Sequence, residues 1–177
     1  MKKLFRRYRN LVIVLAVLAV VSYFNMEFAA SVFSISKIQV KEMMLVIPPI
    51  FILLGLLDVW ISKETMSYHM GEGSGLKGIL LALLIGSAAA GPLYGAFPVA
   101  AVFMKKGVKF SNVLIFIGAW STTKIPMFLF EIAALGPVFA VTRLLIDIPG
   151  VIIIAQLLSL TVSKKEVDRL YENAQNF

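Results

Sequence analysis

The sequence predicts an all-α integral membrane protein with about four transmembrane helices and a re-entrant or broken-helix hairpin. Of the 177 residues, 59% are hydrophobic and 15% are charged, whereas soluble domains carry about 25% charged residues. The apolar residues collect in long segments, and two of these segments are interrupted, at residues 91–98 and 121–126. A simple five-span topology is the alternative.

The first part of the chain, residues 1–61, is predicted to form two transmembrane helices. Five basic residues precede the apolar run 11–24: Lys2, Lys3, Arg6, Arg7 and Arg9. Residues 30–42 are expected to form a polar connection outside the cell. The second span is expected at residues 43–61, which is long enough to cross a bilayer.

The second part follows a glycine-rich linker, residues 62–77, which we expect in the cytoplasm. Residues 78–162 hold three apolar segments, 78–104, 111–135 and 138–160. Residues 163–177 are a polar tail, expected to form a short exposed helix.

The topology follows from the positions of lysine and arginine. The N-terminus, the linker, the 105–109 turn and the tail hold thirteen of the seventeen basic residues. Basic residues are enriched on the cytoplasmic side, so both termini and this turn are predicted to be cytoplasmic, in the inner membrane of the cell. For the turn to lie there, residues 78–104 must enter the membrane, reverse at 91–98 and return. This is the re-entrant hairpin.

The two broken segments are the candidate site. Unpaired backbone groups in hydrocarbon cost several kcal/mol, so breaks persist where protein or a water-filled cavity supplies partners. Two broken segments side by side indicate a transport site, although ordinary kinked helices are the alternative. The predicted substrate pathway consists of Pro92, Tyr94, Gly95, Pro98, Trp120, Ser121, Thr122, Thr123, Lys124 and Pro126.

Four charged residues lie inside the apolar segments: Lys124, Glu131, Arg143 and Asp147. Counting back from the 135–137 turn, Lys124 and Asp147 lie at similar depth, so we expect them to pair. Arg143 is expected to pair with Glu131 or, four residues along one helix, with Asp147. These pairs either only hold the hairpin together or leave Lys124 facing a polar cavity, where it meets an anionic substrate or a proton.

Several classes of function lack their usual residues. The chain has no cysteine and one histidine, His69, so we predict neither a metal site nor a cofactor. No nucleophile–base pair can be assembled, and we therefore predict that the protein is not an enzyme. No nucleic-acid motif is present. The predicted partners are the lipid bilayer, an unidentified small solute and a second copy of the chain.

The ordered motifs around the first break carry a family resemblance. They are Gly91-Pro92-Leu93-Tyr94, Pro98-Val99-Ala100-Ala101, Lys106-Gly107 and Phe116-x-Gly118, after the small-residue run 86–90. In this order the chain resembles the ArsP/YraQ-type predicted permeases over residues 75–135. Full-size members carry two such halves, so the resemblance implies a half-size permease that works as a homodimer. A non-transporting membrane scaffold or regulatory subunit is the alternative.

One departure from the family concerns its cysteines. Many members place cysteines near the first break, and export of organoarsenicals is associated with thiol chemistry there. In this chain Tyr94, Gly95, Ala96 and Phe97 stand at those positions, which argues against arsenical export.

The homodimer is expected to bring two copies of segments 91–98 and 121–126 around one pathway, with Gly91-x-x-x-Gly95 and residues 87–90 as small contact surfaces.

Overall fold

The computed structural model describes residues 2–89 and 91–175, and this part of the chain is mainly helical, without a strand. Ala90, part of the small-residue run, and the last two residues of the tail lie outside the described residues, as do the side chains of residues 2–7, 9–11, 51, 53, 54, 57 and 58. The helices are α1 (Lys2–Phe24), α2 (Met26–Trp60), α3 (Lys63–Met70), α4 (Gly75–Ala88), α5 (Ala96–Lys105), α6 (Phe110–Thr122), α7 (Ile125–Leu135), α8 (Pro137–Thr161) and α9 (Lys164–Gln175). One 3-10 turn, Leu93–Gly95, precedes α5.

The chain divides into two compact units, Met1–Ile47 and Pro48–Phe177. In the first unit, Asn25 separates α1 from α2, and its side chain accepts a hydrogen bond from the Phe28 amide at 3.0 Å. The expected polar connection at residues 30–42 was wrong, because these residues are helical. The stretch contains neither glycine nor proline, so nothing in it opposes continuation of the helix.

The linker between residues 62 and 77 also contains a helix, α3, and only its central glycine-rich part is irregular. Ser62 is the N-cap residue of α3, since its hydroxyl accepts a hydrogen bond from the Thr65 amide at 3.2 Å. A serine in this position satisfies an amide that the helix itself leaves unpaired. The glycine-rich linker is therefore partly helical.

Among the described residues, two helical segments are long and apolar enough to cross a bilayer, Phe110–Leu135 and Pro137–Thr161. The first of these combines α6 and α7. Val12–Phe24, Gly75–Ala88 and Leu93–Lys105 are shorter apolar helices. At 1.5 Å per residue, α4 is about 21 Å long, which is less than the roughly 30 Å of a hydrocarbon core.

Helix α6 is the centre of the second unit, since α4, α5 and α8 all pack against it. The ring centroids of Phe103 on α5 and Phe116 on α6 lie 4.8 Å apart, and Phe116 meets Trp120 edge to face at 5.6 Å. Gly86 allows α4 to approach α6 closely, because a Cβ atom there would lie 2.6 Å from the Phe116 carbonyl oxygen.

The segment that precedes α4 and the residues that follow α5 meet at one end of this unit. The Lys109 amide and the Asn112 side-chain amide both donate to the Met70 carbonyl, at 2.9 and 2.8 Å. Lys109 also forms an ion pair with Glu72 at 3.2 Å. The Tyr171 hydroxyl donates to the Val108 carbonyl at 2.5 Å, which attaches α9 to the same place. We call this region the basic end (residues 70–74, 105–112 and 163–171). Helices α4 and α5 therefore leave it and return to it.

Candidate functional site

The two breaks lie against each other, and the carbonyl of Gly91 is their meeting point. It accepts a hydrogen bond from the Lys124 ammonium at 2.9 Å and another from the Trp120 indole at 3.3 Å. Beside this contact, the hydroxyls of Ser87 and Thr123 are hydrogen-bonded to each other at 2.7 Å. Each break thus supplies hydrogen-bond partners to the other.

The first break forms because Gly91 has a φ of +105°, a conformation that side chains with a Cβ rarely adopt. Pro92 follows and cannot donate an amide hydrogen bond. Helix α4 has already ended at Ala88, and the next helical turn begins only at Leu93. The Gly91 carbonyl is consequently free of the helical ladder and available to the second break.

The second break lies at Thr123 and Lys124, between α6 and α7. The hydroxyls of Thr122 and Thr123 donate to the carbonyls four residues earlier, at 3.0 and 3.1 Å. Pro126 stands in the first turn of α7, where a missing amide costs nothing. The Thr122 carbonyl accepts from the Arg143 guanidinium at 2.5 Å. Protein groups therefore satisfy this break, as hydrocarbon surroundings require.

Arg143 also lies between two carboxylates. It bonds to Glu131 on α7 and forms an ion pair with Asp147, one helical turn further along α8, at 3.1 Å. The side chain of Glu131 is only 7% exposed, and its Oε2 atom has no hydrogen-bond partner among the described residues. The triad of Glu131, Arg143 and Asp147 carries two negative charges against one positive charge. An unbalanced charge near a bilayer centre costs about 2.5–3.5 kcal/mol on insertion scales.

The expected ion pair between Lys124 and Asp147 is not formed among the described residues. Asp147 instead faces Arg143, which lies one turn away on the same helix. Lys124 belongs to the break rather than to a helix, with φ −58° and ψ 132°, and its ammonium contacts the Gly91 carbonyl. Matching depth alone could not reveal this, since depth does not determine the direction in which a side chain points.

The structure brings part of the predicted pathway together. Trp120, Thr123 and Lys124 meet the first break directly. Gly95 is buried, and a Cβ atom on it would lie 2.5 Å from a methyl group of Ile50. The other pathway residues are half-exposed or exposed and make no described contact across the breaks: Pro92, Tyr94, Pro98, Ser121 and Pro126.

The larger cavity described in the structure, about 520 Å³, lies at the basic end rather than at the breaks. Its lining includes Lys109, Ser111, Gln156, Lys164, Asp168 and Tyr171. A second cavity, of about 440 Å³, lies along α9. Neither is lined by residues of the two breaks, which are packed together in this state.

Two backbone carbonyls contribute to the site and were not predicted from the sequence. The Gly91 carbonyl accepts two hydrogen bonds from the second break, and the Thr122 carbonyl accepts one from Arg143. A signal existed for both, because a glycine–proline step and a helix end each leave a carbonyl without a helical partner. The donors that would find these carbonyls depend on packing, which the sequence does not display.

The fold and this site define a helical membrane protein in which two helix breaks are joined by buried polar and charged groups. A family model described as a predicted permease, ArsP_1, matches residues 27–176. The chain belongs to this family, and the resemblance found in the sequence is confirmed. Membership indicates a transporter rather than an enzyme. Neither the curated proteins nor the solved structures contain a match to the chain.

Proposed function

We propose that the chain is a half-size permease that moves a small anionic solute across the inner membrane as a homodimer, and that it has no enzymatic activity. The observation that carries this proposal is the hydrogen bond between the Lys124 ammonium of one break and the Gly91 carbonyl of the other, at 2.9 Å. Joined helix breaks at membrane depth are where transporters bind solute and coupling ions.

Lys124 is the group that would bind the anion. It is half-exposed, and its described hydrogen bond is to a neutral carbonyl rather than to a carboxylate. An anion could replace the Gly91 carbonyl at the ammonium and gain a charge-assisted hydrogen bond. Exposed Ser121 supplies a hydroxyl group in the same segment, whereas the Thr122 hydroxyl already donates to the Gly118 carbonyl. The proposed solute pathway comprises the residues predicted from the sequence, with Lys124 at its centre.

The proposed topology has four full spans and a re-entrant hairpin made by α4 and α5. Hydrogen bonds from Lys109 and Asn112 to Met70 support it, since they join the end of α3, which precedes α4, to the residues that follow α5. The short length of α4 supports it as well. The basic end holds two of the basic clusters, the 105–109 turn and the basic residues of the tail, so we assign it, with both termini, to the cytoplasm. Residues 62–77 would then be the cytoplasmic linker between the two N-terminal spans and the permease half, 78–162, and residues 163–177 the cytoplasmic tail.

The proposed homodimer would place the breaks of two copies around one pathway. Exposed side chains at the breaks, Tyr94, Phe97, Ser121 and Ile125, support this arrangement. Gly95 is buried within its own chain. We therefore propose that these exposed residues, rather than the Gly91-x-x-x-Gly95 surface, form the contact between the two copies. A closed two-fold assembly is the commonest form of oligomer.

A membrane scaffold or regulatory subunit is the second candidate. The close packing of the breaks, with Ser87 and Thr123 hydrogen-bonded at 2.7 Å, favours it, because a scaffold needs no opening there. A permease in a closed state would show the same packing, and the breaks would have to separate during transport. Flux of solute distinguishes the two candidates.

The experiment is anion flux into liposomes that contain the purified full chain. Swelling in potassium chloride, acetate and phosphate is followed by light scattering. We expect the chain to speed the entry of at least one anion. Lys124→Gln should slow that entry about 10- to 150-fold, the equivalent of a charged hydrogen bond of about 1.5–3 kcal/mol. Lys77→Gln, at an exposed position outside the breaks, is the matched control. If none of the three anions enters faster than in empty liposomes, the scaffold is favoured.

A further inference from the structure

We propose that Glu131, Arg143 and Asp147 form a proton-binding site, in which the two carboxylates share one proton around the guanidinium. Arg143 touches both acids, on α7 and on its own helix α8. The site lies beside the second break, because the same guanidinium donates to the Thr122 carbonyl at 2.5 Å. Proton binding does not depend on the proposed function, whereas its use to drive transport rests on it.

The three side chains carry an unbalanced charge. Two carboxylates and one guanidinium leave one negative charge uncompensated within an apolar segment, and one proton removes it. The neighbouring elements supply no further ionisable group: α6 carries none, α7 carries only Glu131, and α8 carries only Arg143 and Asp147. Lys124, in the described second break, is a cation as well, and its ammonium is directed to the Gly91 carbonyl.

Glu131 has a carboxylate oxygen that lacks a hydrogen-bond partner among the described residues. Glu131 is more than nine-tenths buried, and one of its oxygens bonds to Arg143 while Oε2 has no partner among the described residues. A buried acceptor without a donor is unfavourable. A proton on this oxygen would remove its negative charge. Asp147 is 25% exposed on its side chain, so the second carboxylate is not enclosed by the protein.

A metal cation is a poorer occupant than a proton. Hard cations require several oxygen ligands, and the described residues contain no group of three or more acidic, histidine or cysteine side chains suited to a metal. The positive charge of Arg143 already occupies the space between the carboxylates. The site therefore favours a proton, which binds to a single oxygen atom.

The position of Arg143 links the proton to the breaks. A proton on either carboxylate weakens its hold on the guanidinium, and the guanidinium holds the Thr122 carbonyl at the end of α6. Two residues further on, Lys124 holds the Gly91 carbonyl of the first break. Protonation at the triad is thus connected to both breaks through three consecutive residues of the chain.

The test is infrared difference spectroscopy on the full-length chain in lipid nanodiscs between pH 5 and pH 9, with no solute added. We expect a protonated-carboxyl band that persists at pH 7, where exposed Asp and Glu are ionised. The band should disappear in Glu131→Gln and in Asp147→Asn, because each variant leaves Arg143 with a single carboxylate. Asp168→Asn, an exposed acid on α9, should retain it.

Three outcomes would overturn the proposal. One is a wild-type spectrum without a protonated-carboxyl band at pH 7, a result that needs no variant to fold. Another is a band that survives both triad substitutions. The third is a band that disappears when sodium replaces choline in the buffer, which would assign the site to sodium. Because no solute is present, failure here leaves the permease proposal untouched, and failure of anion flux leaves the proton site standing.

Discussion

The ammonium of Lys124 donates a hydrogen bond to the carbonyl of Gly91 at 2.9 Å, and this contact joins two helix breaks that lie 33 positions apart in the chain. The carbonyl is available because glycine adopts a positive φ there and proline follows. The lysine is available because its own segment has left the helix. A break in one helix therefore satisfies a break in the other, which is how irregular backbone persists inside a membrane.

Gly86 is predicted to be intolerant of even one added carbon. A Cβ atom there would lie 2.6 Å from the Phe116 carbonyl oxygen and 2.8 Å from the Ala119 Cβ. Gly86→Ala should destabilise the protein by about 1–3 kcal/mol, as overpacking does, and lower its thermal unfolding temperature in detergent. Gly150→Ala on α8 is the control, since nothing lies within 4 Å of its Cβ position. Equal effects at both sites would contradict the close packing of α4 on α6.

Replacing Arg143 alone is predicted to destabilise the protein more than replacing Arg143 and Glu131 together. Arg143→Gln leaves Glu131 buried and charged without a cation, which typically costs about 3–5 kcal/mol. The double variant Arg143→Gln with Glu131→Gln removes both charges of that pair and should recover part of the loss. A double-mutant cycle on unfolding in detergent measures the difference. If the double variant is as unstable as the sum of the single variants, the two residues do not interact.

Tyr171 is predicted to make the attachment of α9 sensitive to alkali. Burial, with a smaller contribution from Glu72, raises the pKa of Tyr171 to about 12, against about 10 for an unperturbed tyrosine. Because the folded pKa is the higher one, this stabilisation is complete below about pH 10 and is lost as the pH rises through 12. Tyr171→Phe should therefore show a weaker loss of stability between these pH values. Tyr68→Phe, at a position 78% exposed, should behave as the wild type, and a wild-type slope in Tyr171→Phe would disprove the role of this phenol.

The re-entrant hairpin predicts which residues face the cytoplasm. The chain has no cysteine, so single cysteines report without background. Lys105→Cys, at the last residue of α5, should resist an impermeant thiol reagent added to whole cells and react in inverted vesicles. Val138→Cys, 81% exposed at the opposite end of α8, should show the reverse. Labelling of position 105 from outside the cell would favour the five-span topology.

The sequence predicted the breaks well because they depend on local chemistry. Glycine, proline and clustered hydroxyl residues end the helices at both breaks, so α4 to α8 begin and end within a few residues of the expected positions. Pro48, Pro49 and Pro149, by contrast, lie inside helices. The error at residues 30–42 arose because polar residues suggested a loop, although none of them opposes a helix. The partner of Lys124 could not be predicted, because it depends on how two distant breaks pack. The same holds for the contact of Arg143 with the Thr122 carbonyl.

In the proposed mechanism, solute passes where the two breaks meet. Ser87 and Thr123 provide the most direct test, since their hydroxyl oxygens lie 2.7 Å apart and cysteines at these positions are within reach of a disulfide. In liposomes carrying the anion that the chain moves fastest, oxidation of the double variant Ser87→Cys with Thr123→Cys should stop the flux, and a reducing agent should restore it. Each single-cysteine variant should keep its flux under oxidation. Unchanged flux through fully cross-linked protein would contradict a pathway between the breaks.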